Sequence, residues 1–230
     1  MKVAVLYSGG KDSTLAIEKA KESGWEIQYL LSIKPTRKDC YLFHYATVEH
    51  TKKLAKILGI KHYLLTCKVA DPKKEAAIVG DFVVKNRVDA LILGGTGLQE
   101  TQLRSLQEAL MPFKIEVFAA HAGLDHDQVV REMLDKGYEI MITQVAGDGL
   151  TKWLGKTITK QNFNQFEKES AKYGFHIGGE GGYYDTLVLS APLFKKRLEL
   201  INPTMIIDGE CTGHIIADSK AIEKSLLKAN

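Results

Sequence analysis

The 230-residue sequence predicts an α/β protein: a mostly parallel, doubly wound sheet followed by a smaller α+β C-terminal domain. Three observations carry that prediction. The chain opens on an almost wholly apolar run, Val3 to Tyr7, of the kind that suits a strand covered on both faces. Strand-like and helix-like segments then alternate as far as Val145, which implies right-handed crossovers within one layered sheet. After Gly147 the pattern changes to one polar helix and a series of strand-like runs, so the two domains are read as 1–147 and 148–230.

Taken in order, the apolar run is followed by Ser13 to Ala20, an amphipathic helix with Leu15, Ala16, Ile17 and Ala20 inward, which Gly24 closes. Ile27 to Ile33 read as a second strand and His44 to Leu58 as a helix that Gly59 stops. His62 to Thr66, Ala90 to Leu93, Ile115 to Ala119 and Glu139 to Val145 are further strands. The helices between them are Lys73 to Asn86, Gln99 to Leu110 and Asp125 to Lys136. In the C-terminal part a helix runs from about Thr159 to Tyr173, and strands cover Tyr183 to Ser190, Leu198 to Ile201, Met205 to Asp208 and His214 to Ala217.

Composition excludes several classes. The residues are 45% hydrophobic and 26% charged, as in an ordinary globular protein. A net charge of +3 without a long basic run does not point to nucleic acid. Three cysteines, Cys40, Cys67 and Cys211, lie far apart and form no Cys-x-x-Cys, which argues against a zinc ribbon or a redox pair. The first residues read as a core strand rather than a signal peptide, and no apolar run approaches membrane-spanning length, so the expected location is the cytosol, away from membranes.

The turn between the first strand and the first helix, Ser8-Gly9-Gly10-Lys11-Asp12-Ser13, is richer than a connection requires. A cap accounts for one glycine and for Asp12 or Ser13. It leaves Ser8, the second glycine and Lys11 without a reason. Glycines that admit a ligand to the backbone, helix N–H groups, hydroxyls and an ammonium together suit a polyphosphate. The spacing is neither that of the Walker loop nor that of the dinucleotide fingerprint. Ligands of parallel sheets bind beyond the carboxyl ends of the strands. Two further loops would lie there. Ser32-Ile33-Lys34 would meet an adenine or ribose. Gly94-Gly95-Thr96-Gly97 would close over the nucleotide, although a tight strand-to-helix connection explains that last stretch as well.

The second unusual stretch is Gly178-Gly179-Glu180-Gly181-Gly182-Tyr183-Tyr184-Asp185-Thr186. A bulged hairpin entry would explain glycines here. A single carboxylate between glycine pairs favours a loop whose backbone meets a ligand, with Glu180, Asp185 and Thr186 beside it.

The first motif resembles the SGGKDS signature of the PP-loop ATP pyrophosphatases. The second, with Pro192-Leu193-Phe194 after it and Trp153-Leu154-Gly155 before it, resembles the GEGGEYET segment of the diphthine–ammonia ligase family. The resemblance runs along nearly the whole chain. It implies a PP-loop ATP-binding domain and a C-terminal substrate domain. It also implies amidation of the diphthine residue of translation elongation factor 2 by way of an acyl-adenylate, with ATP and ammonium consumed and AMP and pyrophosphate released. Two positions differ: Tyr183 stands where the family has glutamate, and Asp185 where it has a second one. Glu100 to Arg104 keep only part of a further family segment. A paralogue acting on another carboxylate therefore stays open.

On that resemblance, Ser8 to Ser13, Ile33, His44, Gly94 and Gly95 would hold ATP, and Gly179 to Gly182, Asp185 and Thr186 the acceptor. Lys11 would stabilise the departing pyrophosphate, and Glu180 would act on ammonium or the acceptor. Mg2+ would bridge phosphates with Asp12 orienting it, an N-cap role for Asp12 being the alternative. No glutaminase segment is visible, so free ammonium is the expected donor. His121 and His126 have no metal-pair spacing, and Trp153 is read as packing the two domains together. Two other readings compete: a PP-loop enzyme modifying tRNA, and a nucleotide sensor without chemistry. The absence of Cys-x-x-Cys counts against the first, and the Gly-Glu-Gly-Gly loop against the second. The oligomeric state is not encoded legibly, and a homodimer stays open.

Overall fold

A computed structural model of the chain describes residues 1–37, 42–43, 47–95 and 100–224. Its first half is a five-stranded parallel sheet. The strands are β1 (Lys2–Leu6), β2 (Glu26–Pro35), β3 (His62–Cys67), β4 (Ala90–Leu93) and β5 (Glu116–Ala119), in the order β3-β2-β1-β4-β5. Five helices accompany them: α1 (Lys11–Glu22), α2 (Thr51–Leu58), α3 (Pro72–Lys85), α4 (Glu100–Leu110) and α5 (His126–Asp135).

Side chains of β1 alternate between two cores, as the pleat dictates. Val3, Val5 and Tyr7 point to the face covered by α1 and α2, and Ala4 points to the face covered by α3 and α4. Both faces are covered, which explains why the run is almost wholly apolar, the Tyr7 hydroxyl at its end excepted.

The second half is an antiparallel sheet. Its strands are β6 (Glu139–Ala146), β7 (Thr157–Ile158), β8 (Tyr184–Ser190), β9 (Arg197–Ile207) and β10 (Thr212–Ile222), in the order β7-β6-β10-β9 with β8 also paired to β6. One helix, α6 (Lys160–Tyr173), belongs to this half, and Thr159 caps it through a reciprocal pair of bonds with Asn162. The two sheets share a core. Ile140 and Ile142 of β6 and Leu187 and Val188 of β8 pack in one cluster with Leu15, Ala16 and Ile17 of α1, Leu54 and Ile57 of α2 and Val129 and Met133 of α5.

Three elements depart from the sequence reading. The segment Glu139–Ala146 is a strand, but it lies in the antiparallel sheet, not the parallel one. The expected division at residue 147 thus falls at the carboxyl end of a strand of the second sheet. The helix expected from His44 begins only at Thr51, after a short 3-10 turn over Val48–His50, because Thr47 takes a left-handed φ of 66° that no continuing helix admits. Leu198 to Ile201 and Met205 to Asp208 are one strand, β9, running through Pro203. Its place at the sheet edge leaves room for a residue without an N–H.

Candidate active site

The parallel sheet reverses its strand order between β1 and β4, and the crevice beyond their carboxyl ends is where such sheets take ligands. The Ser8–Ser13 turn follows β1, and Gly94 follows β4. Gly94 is held tightly: a Cβ there would lie 2.5 Å from the Ser13 nitrogen and 2.6 Å from the Asp12 carbonyl carbon. Close backbone approach to the head of α1 therefore requires this glycine. Gly95 is buried beside Glu180, 3.7 Å from Oε1 to the position a Cβ would take.

The turn is ordered by its own hydroxyls. Ser13 Oγ accepts from the Ser8 N–H at 3.2 Å and donates to the Gly10 carbonyl at 3.1 Å, and Ser8 Oγ accepts from the Gly10 N–H at 3.3 Å. Gly10 is the residue before the helix and no side chain caps it, so Asp12 sits in the first turn rather than at the N-cap.

What fixes the turn in space is β8. The Val188 N–H donates to the Gly9 carbonyl at 2.9 Å, and the Lys11 N–H donates to Thr186 Oγ1 at 3.1 Å. Lys11 Nζ donates to Asp12 Oδ2 at 2.8 Å and to the Gly178 carbonyl at 2.5 Å. Through these bonds two motifs separated by some 170 positions become one site.

The site is a solvent-open cleft between the two motifs. Its polar lining is Ser8, Lys11, Asp12, Ser13, Glu180 and Asp185, and its apolar lining includes Leu6, Ile33, Leu42, Phe43, Val48 and Leu93. Gly10, Gly94, Gly178, Gly179 and Thr186 also line it. Gly9 lies behind the turn, against Leu54 and Leu187, and Gly181 and Gly182 face solvent. His44 lies outside the described residues, as do Thr96, Gly97 and Cys40.

The electrostatics are those of a compact charged cluster. Burial opposes the charge on Lys11, but Asp12, Tyr184 and Glu180 outweigh it and hold its pKa above the ordinary lysine value. Burial would raise Asp12, yet Lys11 and His121 hold its carboxyl well below the usual range. Burial pushes the Tyr184 hydroxyl up. A buried cation lining an open cleft, with helix N–H groups beside it, can stabilise anionic charge.

Three histidines stand here: His121 and His126, which the sequence offers only as a pair without metal spacing, and His176, which sequence reasoning missed. His121 Nε2 is 3.6 Å from Asp12 Oδ1, and His126 Nε2 is 3.8 Å from Glu180 Oε1. His126 meets His176 edge-on, with centroids 4.7 Å apart. Burial, then His176 and Lys11, push His126 down to about 4. His121 and His126 reach the site only because the chain folds back on the first turn and the glycine loop, whereas His176 stands two residues before Gly178 and was open to notice in the sequence. Trp153, expected between the domains, is buried in the core that both halves share. It stacks edge-on against Phe166 of α6 at 4.8 Å and donates to Glu169 at 2.6 Å. Cys67 is buried, and Cys211 donates to Asp148 at 2.7 Å. No described helix is long and apolar enough to cross a membrane.

Residues 1–108 match the diphthamide synthase N-terminal domain, and residues 125–224 match the diphthamide synthase C-terminal domain. Among curated proteins, the diphthine–ammonia ligase of Homo sapiens is 28% identical over 230 aligned residues, covering 90% of this chain and 85% of its own length. That of Danio rerio is 28% identical, covering 86% of each chain. The Schizosaccharomyces pombe protein of the same name is 26% identical over 90% of this chain, which spans 37% of that longer relative. With both halves matched in the same order, and with the two motifs of those halves joined in one cleft, the chain belongs to the diphthamide synthase family, the family of the diphthine–ammonia ligases.

Proposed function

We propose that the protein is an ATP-dependent amide ligase that converts diphthine to diphthamide on translation elongation factor 2. A carboxylate does not release its oxygen to ammonia. In this reading one carboxylate oxygen of the acceptor attacks the α-phosphorus of ATP, and the bond to the β-phosphate breaks, releasing pyrophosphate. Ammonia then attacks the acyl carbon, the bond to AMP breaks, and the nitrogen loses its proton to a base. The family relationship and the resemblance of Ser8–Ser13 to the ATP-pyrophosphatase turn support it.

The adenine would lie among Ile33, Phe43 and Leu93, and the phosphates beside Ser8, Gly10, Lys11 and Ser13. Lys11 would move from the Gly178 carbonyl to the leaving pyrophosphate, where a preorganised charge is worth most. Glu180 and Asp185 would serve the acceptor or ammonium, with Glu180 as the base. Among the described residues, no group of three metal-binding side chains is present. One carboxylate beside a phosphate site nonetheless suits Mg2+, which takes few protein ligands and leans on substrate phosphates. Asp12 would be that ligand, and the ion would supply charge neutralisation.

The single observation that carries the reading is the pair of bonds from Lys11 to Thr186 and Gly178, which joins the Ser8–Ser13 turn and Glu180 in one cleft. The test is incubation with ATP, ammonium and the diphthine form of elongation factor 2. Equal amounts of AMP, pyrophosphate and amide are expected, each dependent on the acceptor. Acceptor-dependent ADP and phosphate would overturn it.

A further inference from the structure

Two backbone N–H groups of the glycine loop end on one imidazole nitrogen. His176 Nδ1 accepts from Gly178 at 3.1 Å and from Glu180 at 3.4 Å. A nitrogen that accepts carries no proton, so the bonds fix the ring as the neutral form protonated at Nε2. Protonating Nδ1 would turn an acceptor into a donor facing two donors, and both bonds would be lost.

The loop is held at other points as well: the Gly179 N–H donates to the His176 carbonyl at 2.9 Å, and the Tyr184 hydroxyl donates to the Ile177 carbonyl. Gly179, Gly181 and Gly182 have φ values of 77°, 80° and 81°, and glycine carries a large entropy loss on ordering. Gly178 is clamped from opposite sides: its N–H goes to His176 and its carbonyl receives Lys11. The His126 ring packs directly on it, 2.6 Å from where a Cβ would stand. The His176 ring in turn backs His126, which faces the Glu180 carboxylate.

We propose that His176, as a neutral ring, is a positioning residue for Glu180: it holds the Gly178–Glu180 backbone so that the carboxylate stays in the cleft beside Lys11. The inference rests on the reading of Glu180 as acting on the acceptor or ammonia side. The groups facing the ring set when it charges. Lys11 at the head of α1 opposes protonation, as does burial, the larger influence. Asp12 from the same turn and Asp125 from the cap of α5 favour it. His126 lies against it and Glu180 follows it in the loop. The net direction is downward, so the neutral form prevails at neutral pH and the loop would loosen as the solution turns acid.

The test uses the full chain and two substitutions. His176→Phe keeps a ring against His126 but offers no acceptor. His176→Asn keeps an oxygen that can accept from the N–H two residues on and cannot charge in this range. Amide exchange protection of Gly178 and Glu180, the proton resonances of the His176 ring, and the pH dependence of amide formation are measured for each. In the wild type, protection should fall as the ring titrates. His176→Phe should lose protection at every pH, and kcat for amide formation should fall about tenfold to a hundredfold with the KM for ATP within about twofold, as a displaced catalytic group predicts. His176→Asn should restore most protection and turnover, and the acid limb belonging to His176 should vanish. Wild-type protection and turnover in His176→Phe would overturn the inference. So would an Asn variant as impaired as Phe with its acid limb unchanged. If the wild type makes no AMP with the diphthine acceptor, the proposed reaction fails, while exchange protection and ring titration still decide the part played by His176.

Discussion

Lys11 occupies a position few lysines take: its side chain is buried, its charge is retained, and both partners are oxygens a phosphate would compete with. Removing it should leave a folded protein that handles nucleotide poorly. For Lys11→Ala we expect adenylation to slow by on the order of a hundredfold, the loss typical of one preorganised donor, read as pyrophosphate release. A folded variant with normal turnover would remove Lys11 from the chemistry. Glu180 predicts a different split. Glu180→Gln keeps the shape but not the charge, so ATP affinity should hold while amide formation falls about a hundredfold if the carboxylate is the base. Parallel loss of affinity and melting temperature would make it structural instead. His126 gives a pH signature. Its pKa in the folded chain, about 4, lies below that of the unfolded chain, so the unfolded state binds the proton first. Its contribution to stability is therefore complete above the ordinary histidine value and is lost as pH falls toward about 4. His126→Gln should flatten the decline of melting temperature between pH 6.5 and 4 relative to the wild type. An unchanged slope would show that His126 is not held neutral.

At the scale of elements, the contact between the end of β4 and the head of α1 is the tightest part of the site. In Gly94→Ala the added methyl would meet three backbone atoms of the first helical turn, none of which can rotate away. Overpacking of that kind costs roughly 1–3 kcal/mol, and here it would also push the turn out of register with β8. We expect a lower urea midpoint together with weaker nucleotide binding. An unchanged midpoint and affinity would mean that the strand and helix separate freely. The sequence offers two explanations of this glycine, a tight connection and a ligand contact. The structure shows the close approach itself, at a residue that also lines the cleft. Elsewhere the elements were legible where local chemistry fixes them. β4 falls on Ala90–Leu93 as expected, Asp125 caps α5, and Gly59 ends α2 with φ at 70°. The start of α2 was not legible, because apolar periodicity continues through residues whose backbone turns left-handed at Thr47.

The whole molecule explains why β6 was misplaced. Its alternation marks a strand but carries no sign of which sheet will pair with it, and its partners β8 and β10 come tens of residues later. Likewise the Ser8–Ser13 turn and the glycine loop each stand out in the sequence, while the bonds joining them depend on β8 running past the head of α1. Because α1, α2 and α5 give their apolar faces to a core shared by both sheets, separating the halves would expose that surface to water. The two halves should therefore unfold together, although chains of this length often do not. The protein carries a probe in each half. Trp25 packs edge-on against Phe118 of β5 at 5.3 Å, and Trp153 against Phe166 of α6 at 4.8 Å. Trp153→Phe leaves fluorescence to report the first half, and Trp25→Phe leaves it to report the second. Each substitution shifts stability by itself, so each variant is compared with its own far-ultraviolet circular dichroism in urea. One shared core predicts that fluorescence and dichroism coincide in both variants, with a single transition. A fluorescence midpoint displaced from the dichroism midpoint in either variant would show that the halves are independent. The cleft would then be assembled by docking rather than by folding, and nucleotide would be expected to draw the two midpoints together.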